Sequence, residues 1–149
     1  MASRVEITCP HDAPALPMRA FLPGYLAKRR HDCGDAVEHL DDGTIKYTLP
    51  IKFPSVLVAM LSISAMDFTE TIRRDPAGTV YISATCEAAD VTVRTAVTEK
   101  GNGIHVTTTV DALPVFRGIT IPNYLVTKFI DRKFKEERGR DAEFAQAFV

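Results

Sequence analysis

The stretch VTVRTAVTEKGNGIHVTTTV, residues 91–110, decides the fold. Val91, Val93, Thr95 and Val97 recur at every second position. Ile104, Val106, Thr108 and Val110 do the same beyond Gly101-Asn102-Gly103. A period of two places each set on one side of an extended strand. The Gly-Asn-Gly sequence accepts the positive φ angles that a tight hairpin demands. The stretch therefore reads as two antiparallel strands sharing one mainly apolar face.

The same alternation continues toward the N-terminus. Val80, Ile82, Ala84 and Cys86 form one face of a preceding strand, and the turn Asp75-Pro76-Ala77-Gly78 separates it from a strand at Phe68 to Arg73. The small Ala84 and Cys86 leave room on their face or abut a bulky neighbour. Ile45, Tyr47, Leu49 and Ile51 alternate with Thr44, Lys46 and Thr48, and Asp42-Gly43 supplies a hairpin turn back to a weak strand at Val37 to Leu40. The chain opens with Val5, Ile7 and Cys9, a short strand expected to end at Pro10. Asp12 is expected to cap a helical turn. Pro17 and Pro23 divide the next segment into two short helices, because neither fits deep inside one helix. Leu16, Phe21, Leu22, Tyr25 and Leu26 are its inward candidates.

From Pro122 the period becomes helical. Leu125, Val126, Phe129, Ile130 and Phe134 make one stripe, continued by Phe144, Ala145 and Phe148. Gly139 permits a bend or an end. Unbroken to Phe148, such a helix would be about 40 Å long, more than a sheet of this size needs. The chain thus reads as an α+β domain over residues 1–149, with about seven antiparallel strands and one long C-terminal helix.

Composition narrows the function. A formal charge of −1 argues against a nucleic-acid binder working through a strong overall field. Three cysteines without a close pair give neither a disulfide framework nor a zinc signature, which favours a reducing compartment. His11, His31, His39 and His105 have no metal-ligand spacing. The start of the chain lacks a charged segment followed by an apolar run, so an intracellular address, cytoplasmic or mitochondrial, is expected. The longest apolar run, Val56 to Met66, is too short to span a bilayer. No nucleophile–base–acid set follows from sequence position, so no catalytic residue, cofactor or metal is assigned.

The order of elements resembles the helix-grip fold of the START-like superfamily, and within it the PRELI/MSF1 group of phospholipid-transfer proteins. The likeness rests on Asp42-Gly43-Thr44, on Phe53-Pro54-Ser55-Val56-Leu57 leading into Met60-Leu61, and on Phe68-Thr69-Glu70-Thr71 before the Asp75–Gly78 turn. It implies a curved sheet wrapped around the terminal helix, with an apolar cavity between them. It further implies that the segment like Pro54–Ala65 is a lid, and that basic residues near the entrance hold a lipid phosphate. By position Lys52 would lie beside the lid and Lys128 on the helix.

Each candidate has a plain alternative. Pro54–Met66 is either a buried core segment or a lid whose Val56, Leu57, Met60 and Leu61 close the cavity and touch membrane when open. The bases Lys128, Arg132, Lys133, Lys135, Arg138 and Arg140 interleave with Asp131, Glu136 and Glu137 at helical spacings, which suits a solvated face better than an anion site. The leading expectation is a non-enzymatic protein that binds and transfers a lipid or another apolar molecule. The ligand would lie against Leu125 and Phe129, with its head at Lys52 or Lys128. The alternative is an accessory subunit whose interior is filled by its own side chains and whose terminal helix, through Phe144, Phe148 and Val149, docks on a protein partner. A cavity enzyme is the third.

Overall fold

A computed structural model describes residues 4–21, 25, 37–39, 44–50, 65–86, 89–116 and 118–146. The strands are β1 (Val5–Ala13), β2 (Val37–His39), β3 (Thr44–Pro50), β4 (Ala65–Arg74), β5 (Val80–Cys86), β6 (Val91–Lys100), β7 (Gly103–Ala112), β8 (Val115–Phe116) and β9 (Ile119–Thr120); helix α1 spans Asn123–Gln146. Seven strands form one curved antiparallel sheet in the order β1-β7-β6-β5-β4-β3-β2. Consecutive strands from β2 to β7 are neighbours, and short turns join β4 to β5 and β6 to β7. Gly78 and Gly101 take the positive φ angles, 92° and 60°, that the β4–β5 and β6–β7 turns require. The first of these turns is closed by the Gly78 amide donating to the Asp75 carbonyl at 3.0 Å and the Thr79 amide donating to the Asp75 carboxylate at 2.9 Å.

β1 is the exception to sequential pairing: it returns to lie beside β7, matching Val5 with Ala112 and Ala13 with Ile104. This corrects the expected end at Pro10. β1 has β7 on one side only, so alternate amides point away from the ladder and proline can stand where no donor is needed. Asp12 consequently lies within the strand and caps no helix. The crossing near β1's end is tight. A Cβ on Gly103 would fall 2.5 Å from the Pro14 Cα and closer still to the Ala13 carbonyl oxygen.

β4 begins at Ala65, with Met66 paired to Leu49. Met66 therefore belongs to the sheet and not to a lid. The hairpin β8–β9, turned at Gly118, joins the sheet to the helix. The Pro122 carbonyl accepts the first helical bonds, from the Leu125 and Val126 amides at 3.0 and 3.3 Å. The helix runs on through Gly139 without ending there. The segment from Ile51 to Ser64 and the expected turn at Asp42-Gly43 lie outside the described residues, as do Leu22, Leu26, Phe148 and Val149.

Two apolar clusters lie on the concave side. One gathers Leu16, Met18, Phe21 and Tyr25 of the N-terminal segment onto Ile45, Tyr47, Phe68, Val80, Ile82, Val97, Ile104 and Val106. The other joins Ile130 and Phe134 of α1 to Val110, with Ile7, Cys9, Val91, Val93, Val126 and Phe129 packed around them. α1 lies along β1, and its first turns reach both clusters through Phe129.

Candidate functional site

The concave face is built from alternate residues, because a strand turns every second side chain to the same side. β4 contributes Met66, Phe68, Glu70 and Ile72; β5 contributes Val80, Ile82, Ala84 and Cys86. Val91, Val93, Thr95 and Val97 of β6 lie beside Ala112, Val110, Thr108 and Val106 of β7. β6 has β7 on one flank and β5 on the other, yet Val91, Val93 and Thr95 stay partly exposed while Val97 is fully buried. On the facing helix, Leu125, Val126 and Phe129 are partly exposed and Ile130 and Phe134 are buried. The sheet and the first two turns of α1 thus leave apolar surface within reach of water.

Of the residues expected at a ligand site, Leu125 and Phe129 lie on this inward side, and both pack against the larger cluster. Lys128 stands on the opposite side of the helix, exposed with Tyr124, Asp131, Arg132 and Lys135. Lys133 stretches over the Phe129 ring, its Nζ 5.7 Å from the ring centre, and donates to Glu136 at 3.1 Å. Lys52, Val56, Leu57, Met60 and Leu61 are outside the described residues.

One buried charged group escaped the sequence reading. Glu70 is only 1% exposed. Its carboxylate accepts a hydrogen bond from the Tyr25 hydroxyl on one oxygen and from the Tyr47 hydroxyl, at 3.0 Å, on the other. Burial without partners would cost such a carboxylate several kcal/mol, and the two phenols help to offset that cost. Tyr47 stacks on Phe68 with ring centres 5.7 Å apart, and Tyr25 is tilted against Phe21 at 5.6 Å. The group therefore ties the N-terminal segment to β3 and β4. The signal was present: Glu70 occupies the same alternation as Met66, Phe68 and Ile72, which puts it inside.

The outer face carries a different network. Asp12 accepts from Lys100 Nζ at 2.8 Å and lies 2.5 Å from His105 Nδ1, and His105 Nε2 lies 3.3 Å from Thr107 Oγ1. The hydrogen bond from Lys100, and then that with His105, holds the Asp12 carboxyl below its ordinary value. The order of carboxylate, imidazole and hydroxyl resembles a hydrolytic relay, but it sits on the side away from the helix, apart from the concave surface. Arg4 grips Asp90 through both terminal nitrogens, at 2.8 and 3.0 Å, and Asp111 through Nε at 2.7 Å. Among the described residues no group of histidine, cysteine and carboxylates could hold a metal ion. Among the same residues, no helix is long and apolar enough to cross a membrane.

The architecture is that of the START-like helix-grip fold: a curved antiparallel sheet closed by a C-terminal helix. Solved structures of the same shape include TTHA0849 from Thermus thermophilus, at 15% identity and a TM-score of 0.64 over 97% of this chain and 99% of that one. A START superfamily protein from Mycobacterium smegmatis matches at 6% identity and a TM-score of 0.59, covering 98% and 99%. The di-domain ARO/CYC StfQ from the steffimycin biosynthetic pathway matches at 12% and 0.56, with 97% of this chain corresponding to 50% of that one. No family model matches the sequence, and no curated protein matches it.

Proposed function

We propose that this protein binds a small apolar or amphipathic molecule between the concave sheet and helix α1. The observation that carries the reading is the partial exposure of Val91, Val93 and Thr95 on β6, which pairs with β7 along its whole length and with β5 from Thr92 to Val97. A solid interior would bury all three, as it buries Val97. Leu125, Val126 and Phe129 would form the opposite wall. Affinity would come from removing apolar area from water, about 25 cal/mol per Å² before the costs of ordering the ligand. The fold's likeness to a START superfamily protein and to an ARO/CYC protein supports a cavity reading in the same direction.

Carriage of a lipid between membranes, as in the PRELI/MSF1 group, is the finer form of the proposal. It rests on the Pro54–Ala65 segment acting as a lid and on Lys52 meeting a headgroup. The accessory-subunit alternative requires an interior filled by its own side chains, and the partly exposed inward residues weigh against it. Native mass spectrometry of protein purified without denaturant tests the proposal. The expected result is a non-covalent organic adduct, lost when the protein is unfolded. A bare chain that also fails to take up a long-chain fatty acid would overturn it.

A further inference from the structure

We infer that Thr95 and Thr108 form a hydrogen-bonding seat for an oxygen-bearing group in the middle of an otherwise apolar ligand; this rests on the binding site proposed above. The two residues are partners across the β6–β7 ladder, on strands about 4.8 Å apart. Both face inward, since they alternate with Val93 and Val97 on one strand and with Val106 and Val110 on the other. Valine serves at four of these flanking positions, and it has the size and branching of threonine. A hydroxyl is gained here and nothing else.

The placement gives the hydroxyls meaning. Threonine on the outer face of a sheet meets water, and Thr8 and Thr109 there bond to each other at 3.0 Å. Thr95 and Thr108 instead lie where the two apolar clusters meet: Val97 and Val106 belong to one, and Val110 to the other, with Val93 packed against both. Their remaining neighbours across the ladders are Ile82 and Cys9. Neither hydroxyl has a hydrogen-bonding partner among the described residues, and both side chains are partly exposed. Set mainly among apolar side chains yet still reachable from solvent, each hydroxyl can meet a polar group of a ligand in place of water. A hydroxyl or carbonyl at mid-length of the ligand satisfies both threonines, while its apolar arms cover the clusters on either side.

The test compares a long-chain fatty acid bearing a mid-chain hydroxyl with its unsubstituted parent of equal length, by calorimetric titration of the full chain. The wild type is expected to prefer the hydroxy acid, and Thr95→Val/Thr108→Val to lose that preference by about tenfold, at roughly one hydrogen bond per threonine. Binding of the parent acid should be unchanged or tighter. Thr95→Ser/Thr108→Ser, which keeps both hydroxyls, should retain the preference, and thermal melts of each variant establish folding independently. Equal preference in the wild type and the valine variant would overturn the inference, as would a preference absent from the wild type, which would leave water as the sole partner. Failure of the wild type to bind either acid would overturn the binding site itself.

Discussion

Glu70 carries an acid into a position that the alternation of β4 reserves for an apolar side chain. Two phenols hold its two oxygens, and each links a different part of the chain to the sheet. Tyr47→Phe removes one donor from a buried carboxylate and is expected to cost about 1.5–3 kcal/mol in urea unfolding. Glu70→Gln keeps the size and an acceptor and should cost less than Glu70→Ala, which also opens a gap. A Tyr47→Phe variant as stable as the wild type would show that the bond contributes nothing. On the outer face, Asp12 behaves differently because it is exposed. Its folded carboxyl is held below the unfolded value, by Lys100 first and His105 second. Its contribution is therefore present above about pH 4 and is lost as pH falls through the lowered folded value. Melting temperatures should place the wild type above Asp12→Asn at neutral pH and bring the two together near pH ~2. A constant difference across that range would contradict the assignment. Alternation alone was enough to place Glu70 inside, although that placement was not drawn from the sequence. It could not reveal Tyr25 as a partner, because 45 residues separate them along the chain.

Strands were the legible elements. The period of two marked β3 and β5 to β7 close to their ends, since one face of each meets the core and the other meets water. β1 ran past its expected end because a sheet edge tolerates Pro10, and edge position is a property of the assembled sheet. β8 and β9 are two residues each, too short for any periodic pattern. Helix α1 was marked by its apolar stripe, and it runs on through Gly139. Phe134→Ala should cost about 3 kcal/mol by chemical denaturation, because the buried ring anchors the helix on β7. Gly103 is a requirement of the β1–β7 crossing and not of φ. Gly103→Ala drives a methyl into the Ala13–Pro14 backbone and should destabilise by about 1–3 kcal/mol. An unchanged melting curve for Gly103→Ala would mean that the crossing is looser than described.

For the whole molecule, the order of elements was enough to anticipate a sheet gripped by its last helix. The residues facing inward were legible only in part. Leu125 and Phe129 follow from the helical stripe, whereas Lys128 shares the charge pattern of the solvent side and stands there. Accordingly, Lys128→Glu should change fatty-acid affinity by less than about twofold, while Phe129→Asp, which puts a charge in the apolar wall, should abolish binding. The exposure left on β6 could not be read from composition, because it depends on how far α1 stands from the sheet.

The most direct test is a methyl-resolved NMR titration of the isotopically labelled protein with a long-chain fatty acid. Saturable shifts should appear at the methyls of Val91, Val93, Leu125 and Val126, which flank the proposed site from the sheet and the helix. An interior whose methyls do not respond while the acid is present in excess would contradict the claim that the helix and the concave sheet hold a molecule between them.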